Sequence, residues 1–197
     1  MALSPAVRVQ GKVGHDLARS LLSVLDVYTI RSEDMVQQLN YVAAQFDRVG
    51  FESEDQGLTK ALELAKSVLD TTGEVWGELN SALMNLQATD MYSPSTTNDD
   101  VMEALKPLDH VVNECYGLVS ENTQNISGIR DASHAASEDV AHHRHLFEHN
   151  DVVDTLDYVT ELCRIIAGDG NGAPTEDVAL SLIDGYDGIR SMSVEVD

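Results

Sequence analysis

The sequence predicts an all-α protein: an elongated antiparallel helical bundle with coiled-coil-like heptad packing, four main helices and a short C-terminal helix. Along four segments, apolar residues recur at alternating spacings of four and three, which places them on one face of an α-helix. The period-two alternation of half-buried strands is almost absent. Aromatic residues make up only 5% of the 197 residues, so the core consists mainly of Leu, Val, Ile and Ala, which suits helix packing.

The first helix is predicted to begin at Ser4 and Pro5, because proline is favoured at the first helical position. A turn is predicted at 50–57, where two glycines flank mostly polar residues. The apolar stripe of this helix consists of Leu21, Leu25, Tyr28, Ser32, Met35, Leu39, Val42, Phe46 and Val49.

The second helix is predicted to follow the turn and to end before a linker at 90–98, which is rich in turn-forming residues. Its stripe contains the single tryptophan, Trp76, which we interpret as a core anchor. The stripe consists of Leu58, Leu62, Ala65, Leu69, Thr72, Trp76, Leu79, Leu83 and Leu86.

The third helix is predicted to be the longest, with Thr97 or Asn98 as its N-cap and acidic residues in its first turn. Its stripe is expected to continue to Phe147, and it turns polar in its second half. A polar seam of this kind usually trades stability for register or choice of partner. The polar positions of the stripe are Asn122, Ser133 and His143.

The fourth helix is predicted to start after a break at 149–151 and to end at the glycine-rich segment 168–174, and a fifth is predicted over about 175–190. The predicted organisation is an N-terminal helical hairpin at 1–89, a linker at 90–98 and an acidic C-terminal hairpin at 99–197 with the short terminal helix. The two hairpins can also pack as one bundle. The stripe of the fourth helix consists of Val152, Leu156, Val159, Cys163 and Ile166.

The charge of the chain argues against several functions. It carries 34 acidic and 12 basic residues, a formal charge of −22, of which residues 98–197 hold −16. Direct binding to nucleic acid or to an anionic membrane needs a basic surface, so neither is expected. No run of apolar residues is long enough for membrane insertion, and no leader is visible. We therefore expect a cytoplasmic protein, with leaderless export left open.

A cluster of histidines near the end of the third helix suggests a metal site. Glu138, His142, His145 and His149 are spaced by four, three and four, so on a continuous helix they share one face. Imidazole and carboxylate groups in that arrangement are ligands for zinc, nickel or copper. The hypothesis is a transition-metal site at these four residues, and the alternative is a solvated polar face. No other cofactor is expected.

No catalytic pattern is found elsewhere in the sequence. No nucleophile elbow, phosphate-binding loop or pair of Glu-x-x-His motifs occurs. His15 could serve as a phosphoacceptor on a helix, although a partly exposed histidine explains it as well. Cys115 and Cys163 lie on apolar stripes, which predicts buried core thiols, with a disulfide between them as the alternative.

The expected function is therefore that of a non-enzymatic helical interaction or structural protein. It would act through self-association or through helix docking, with a protein partner or a homo-oligomer as the assembly. One alternative is a metal- or pH-responsive binding module on the histidine face. Another is an acidic mimic of nucleic acid that occupies the basic groove of a partner. The four lysines and the excess of aspartate over glutamate also fit a protein adapted to high salt.

Overall fold

The structure is a computed structural model that describes residues 2–53, 56–147, 149–169 and 172–192. Throughout these ranges the regular structure is helical and no strand occurs, which confirms the predicted all-α bundle. The heptad geometry of a coiled coil stays a prediction. The helices are α1 (Pro5–Val49), α2 (Gly57–Gln87), α3 (Asn98–His142), a short 3-10 helix (Arg144–Leu146), α4 (Asp151–Ala167) and α5 (Thr175–Arg190).

The predicted apolar stripes form the core. Every stripe residue of α4 is buried, as is every stripe residue of α3 from Val101 to Val140. Four residues of the α1 and α2 stripes are exceptions, because they are only half-buried: Val49, Leu62, Leu69 and Trp76. The Nε1 of Trp76 donates a hydrogen bond to Asp26 Oδ1 at 3.0 Å. The interpretation of Trp76 as a core anchor is wrong, since its indole N–H reaches an exposed carboxylate instead.

The chain divides into two compact units. Unit 1 comprises the described residues of Met1–Asp26, Gly73–Val119 and Asp177–Asp197, and unit 2 comprises those of Val27–Thr72 and Ser120–Glu176. Helices α1, α2 and α3 each contribute one part to each unit. The division of the sequence into hairpins at 90–98 stays a prediction.

In unit 1 the starts of α1 and α3 lie side by side. Ser4 Oγ accepts a hydrogen bond from Val7 N at 3.3 Å, so Ser4 caps α1. Ser4 N in turn donates to Asn98 Oδ1 at 2.9 Å. Thr97 caps α3, because its Oγ1 accepts from Asp100 N at 3.2 Å while Asp100 Oδ2 accepts from Thr97 N at 2.8 Å. Of the two predicted caps, Thr97 therefore caps α3 and Asn98 links the two helices.

Helix α5 is fixed in unit 1 by a network of charged and polar groups. The guanidinium of Arg190 donates to both carboxylate oxygens of Asp109, at 3.0 and 2.7 Å. Tyr186 Oη donates to Asp109 Oδ1 at 2.5 Å, and Arg190 also donates to Gln10 Oε1. The bidentate pair joins the end of α5 to α3, and Gln10 joins it to α1.

In unit 2, α4 runs antiparallel to α1. Phe147, which precedes α4, contacts Phe46 near the end of α1, with ring centroids 6.0 Å apart. Further along α4, Tyr158 Oη donates to Asp34 Oδ2 at 2.5 Å. The start of α4 thus lies beside the end of α1, and its later turns lie beside earlier turns of α1.

Helix α3 ends at His142, one turn earlier than the stripe to Phe147 predicts. His143 Nδ1 hydrogen bonds to Asp139 O at 2.8 Å, the carbonyl that would accept from His143 N if the helix continued. His143 N instead donates to Val140 O at 3.0 Å, as in a 3-10 turn. The side chain replaces the backbone donor, and the α-helix stops.

Candidate functional site

The structure separates the residues of the predicted metal site among three elements of unit 2. Glu138 and His142 lie on α3, His145 lies on the 3-10 helix, and His149 lies between that helix and α4. Glu138 Oε1 lies 3.2 Å from His134 Nε2. Among the described residues, no group of three or more His, Cys, Asp or Glu is placed to hold a metal ion. The metal site stays a prediction. Its four residues do not lie on one continuous helix, which was the basis of the prediction.

His143 belongs to an aromatic cluster that contains all three phenylalanines of the chain. Its ring lies 5.0 Å from that of Phe51, which packs edge-on against Phe46 at 4.9 Å. Phe147 lies 5.6 Å from Phe51. The cluster joins the segment after α1 to the segment after α3.

A serine, an aspartate and a histidine meet beside this cluster. Ser53 Oγ donates to Asp139 Oδ2 at 2.6 Å, and Asp139 Oδ1 lies 3.4 Å from His143 Nδ1. In a catalytic triad the histidine lies between the other two groups and takes the proton of the serine. Here the aspartate is central, so the imidazole cannot activate Ser53 and the arrangement is structural.

The exposed apolar side chains of unit 2 are concentrated on α1 and α4. Ile30 is 63% exposed and Ile165 is 46% exposed. All the exposed large apolar residues among the described part of unit 2 lie on these two helices. They are Val27, Ile30, Tyr41, Tyr158 and Ile165, which we call the α1–α4 face.

Helical spacing brings the residues of the α1–α4 face together. On α1, Val27, Ile30 and Tyr41 are separated by 3 and 11 residues, which keeps them within one narrow stripe. On α4, Tyr158 and Ile165 are two turns apart. Because Tyr158 bonds to Asp34 and the helices are antiparallel, Ile165 lies toward the level of Val27.

The rim of the α1–α4 face is acidic. Helix α4 carries four acidic residues and one basic residue, Arg164, whose NH1 lies 3.7 Å from Glu161 Oε2. On α1, Asp34 accepts the hydroxyl of Tyr158 at the centre of the face. A ligand of this face would therefore contact apolar side chains on either side of the Asp34–Tyr158 hydrogen bond, together with the acidic side chains of α4.

The two cysteines and the glycine that ends α4 serve the packing of the fold. Cys115 and Cys163 are buried and free, so the alternative of a disulfide between them is wrong. Gly168 ends α4 with φ +82°, and a Cβ there would lie 2.5 Å from Pro174 N. This glycine is required for the turn that follows α4.

A cleft of about 560 Å³ lies in unit 1 between the start of α1, the end of α2 and the connector after α2. His15, the residue considered as a phosphoacceptor, is half-buried and lines this cleft. Its Nδ1 lies 3.6 Å from Asp16 Oδ1. The structure therefore places His15 in a concave site together with Lys12, Asp16 and Asp90.

None of the helices in the described chain is long and apolar enough to cross a lipid bilayer. No protein-family model matches the chain, and neither does any curated protein or solved structure. Support for a function therefore comes from the α1–α4 face and the cleft.

The sequence interpretation missed both the α1–α4 face and the cleft. Val27, Ile30 and Tyr41 form a second apolar stripe on α1, beside the core stripe, and this stripe is visible in the sequence. The cleft has a sequence signal too, because four basic residues recur on one face of the start of α1.

Proposed function

We propose that the protein is a non-enzymatic interaction protein that docks a helix of a partner protein on the α1–α4 face. The observation that carries the proposal is that all exposed large apolar side chains in the described part of unit 2 lie on two adjacent helices. Groups of exposed apolar side chains bordered by polar residues are typical of interaction sites. Two antiparallel helices also form the kind of groove that receives an amphipathic helix.

The acidic rim determines which partner fits. A partner helix with lysine or arginine beside its apolar stripe would place positive charges against the carboxylates of α4. A second copy of this chain would bring the same acidic rim to the interface and would be repelled. We therefore propose a basic amphipathic helix of another protein, rather than a homo-oligomer, as the occupant.

A synthetic peptide tests this proposal. The peptide has leucines at alternating spacings of three and four, with lysines at the flanking positions, and its affinity is measured by fluorescence anisotropy. Two control peptides have the same composition in scrambled order, or glutamate in place of lysine. The proposal requires binding of the lysine peptide and at least about tenfold weaker binding of both controls.

Matched variants locate the binding site. Ile30→Gln combined with Ile165→Gln removes two apolar contacts of the face and should weaken binding of the lysine peptide about tenfold or more. Met84→Gln, at an exposed methionine of unit 1, is the control and should leave the affinity unchanged. Equal affinity of the double variant and the wild type would contradict the proposal.

Sedimentation velocity addresses the competing assembly. The proposal expects a monomer at all concentrations in low salt. A dimer that forms with increasing concentration and is lost in the Ile30→Gln, Ile165→Gln variant would instead assign the face to self-association. The metal- or pH-responsive module and the nucleic-acid mimic stay predictions, and no surface described above favours them over helix docking.

A further inference from the structure

We propose that the cleft in unit 1 binds a carboxylate attached to an apolar or aromatic body. The cleft has a volume of about 560 Å³, which falls within the range of small-molecule sites, roughly 300–1,000 Å³. It is separate from the α1–α4 face, all of whose residues belong to unit 2. This proposal can therefore be tested independently of helix docking.

Helix α1 presents a basic face beside the cleft. Arg8, Lys12, His15 and Arg19 are spaced by four, three and four, and helical geometry places them on one side. Residues 1–25 contain three Lys or Arg and one acidic residue, in a chain whose net charge is −22. An anion near this face meets attraction that most of the surface does not offer.

Two of these cationic side chains, Arg8 and Lys12, are held in position by contacts with the connector after α2. Lys12 Nζ lies 4.6 Å from the centroid of the Tyr92 ring, and the Arg8 guanidinium lies 5.7 Å from it. Arg8 Nε also donates to Met91 O at 3.1 Å. The Tyr92 ring orients the ammonium group of Lys12, which forms no ion pair among the described residues.

The cleft also has an apolar wall. A Cβ at Gly11 would lie 2.7 Å from Met91 Cε, so Met91 packs directly against the backbone of α1. Leu86 and Met91 line the cleft together with Tyr92, which is 70% exposed. These side chains can contact the apolar or aromatic body of a ligand while Lys12 contacts its charged group.

Two carboxylates in the cleft limit the negative charge that a ligand can carry. Asp16 and Asp90 line the same cleft as Lys12 and His15. A polyanion such as a phosphate ester would be close to both carboxylates and would be repelled. A single carboxylate can contact Lys12 while the uncharged remainder of the ligand contacts Met91 and Tyr92.

Two probes distinguish the possible sources of such a carboxylate. Phenylacetate represents a free small molecule, and an acetylated tripeptide ending in phenylalanine represents the C-terminus of a peptide. Phenylacetamide and the amidated tripeptide are their uncharged controls. Binding is followed by two-dimensional NMR through the backbone amides of Lys12, His15 and Tyr92.

The proposal expects saturable shifts at these amides with one or both carboxylate probes, and none with the matched amides. The probe that binds identifies the source. Absence of shifts with both carboxylates, equal shifts with the amides, or tighter binding of inorganic phosphate would each overturn the proposal.

Variants at exposed positions test the roles of individual residues. Lys12→Gln and Tyr92→Ala should each weaken binding of the carboxylate probe about tenfold, because each removes one part of the site. Lys66→Gln, at an exposed lysine of unit 2, should have no effect. Unchanged circular dichroism shows that each variant is folded. A Lys12→Gln variant that binds as tightly as the wild type would refute the assigned role.

Discussion

Asn122 is a polar residue at a position where the helical pattern calls for an apolar one. It is fully buried in unit 2, and its Nδ2 donates to Thr72 Oγ1 at 3.0 Å. Its Oδ1 has no hydrogen-bond partner among the described residues. A buried amide of this kind lowers the stability of the fold. It also favours the one alignment of α2 and α3 in which Thr72 lies opposite Asn122.

A double-mutant cycle can test this interpretation. Thr72→Val leaves the Asn122 amide buried without its acceptor and should lower the free energy of unfolding by about 1–3 kcal/mol. Adding Asn122→Leu removes the unpaired group, so the double variant should recover most of the loss. Urea denaturation gives the free energy of unfolding of the wild type, the two single variants and the double variant. A double variant no more stable than Thr72→Val would contradict this interpretation.

The two buried thiols predict a loss of stability in alkaline solution. Burial raises the pKa of Cys115 and of Cys163 from 9.0 to about 12, and the carboxylates of Glu114 and Glu78 add to the rise at Cys115. The folded state thus holds the thiol protons more tightly than the unfolded state does. The contribution of the thiols to the free energy of unfolding should be constant below pH 9 and should fall between pH 9 and 12, by up to about 1.4 kcal/mol per pH unit for each thiol.

The measurement is urea unfolding at a series of pH values for the wild type and for a Cys115→Ala, Cys163→Ala variant. The variant should lose stability less steeply above pH 9. Part of the slope should remain, because burial also raises the pKa of Tyr28 and of Tyr186. Identical slopes for the two proteins would contradict the raised thiol pKa values.

At the scale of the helix, one glycine of α1 and one glycine of α2 have opposite effects on stability. A Cβ at Gly14 of α1 would lie 2.7 Å from Leu105 Cδ2 and 3.1 Å from Leu108 Cδ2, so this glycine allows α1 to approach α3 closely. A Cβ at Gly77 of α2 would meet nothing within 4 Å. The first glycine serves packing, whereas the second only weakens its helix.

Alanine substitutions separate the two cases. Gly14→Ala should lower the free energy of unfolding by about 1 kcal/mol, since overpacking exceeds the gain in helix propensity. Gly77→Ala should raise it by about 0.5–1 kcal/mol, because only the propensity changes. Thermal and urea unfolding report both effects. Stabilisation by Gly14→Ala would show that Leu105 and Leu108 move aside without cost.

The starts of α1 and α3 were predictable from the sequence because they depend on neighbouring residues. Ser4 and Thr97 cap helices whose first turns they immediately precede. The end of α3 was not predictable, because it depends on His143, whose ring contacts Phe51 from a distant part of the chain. A pattern of 4-3 spacing reports which side chains are apolar, and it contains no information on such a contact.

The candidate surfaces show the same limit. The stripe of Val27, Ile30 and Tyr41 can be read from the sequence, but only the structure shows that α4 lies beside it and leaves it exposed. Likewise, the basic residues of α1 are evident in the sequence. Their approach to Tyr92 depends on how the connector after α2 folds back. Sequence pattern identifies the components of a site, and topology decides which of them meet.

At the scale of the whole molecule, folding redistributes the charge. The sequence halves carry −6 and −16, which suggests one strongly acidic domain. Among the described residues, unit 1 contains 13 acidic and 5 basic residues and unit 2 contains 16 and 7, so their net charges are −8 and −9. The acidity is therefore shared almost equally, because α1, α2 and α3 each contribute to both units. The acidic half of the sequence does not correspond to a separate acidic unit.

A charge of this size in both units predicts that salt stabilises the protein. Repulsion among like charges lowers the stability of the folded state, and dissolved ions reduce it. The Debye length falls from about 10 Å at 0.1 M salt to about 3 Å at 1 M, so most of the screening is complete near 1 M. The midpoint of thermal unfolding should therefore rise steeply up to about 1 M chloride and then level off.

Far-UV circular dichroism melts in NaCl, KCl and sodium sulfate measure this effect and separate it from salting-out. Screening depends on ionic strength, so the two chlorides should give the same curve. Sulfate strengthens apolar burial in addition, and its effect continues to grow with concentration. A midpoint that stays constant in chloride and rises only in sulfate would show that burial, and not the net charge of −22, governs the response to salt. A plateau in both chlorides would show instead that repulsion within the two acidic units limits the stability of the fold.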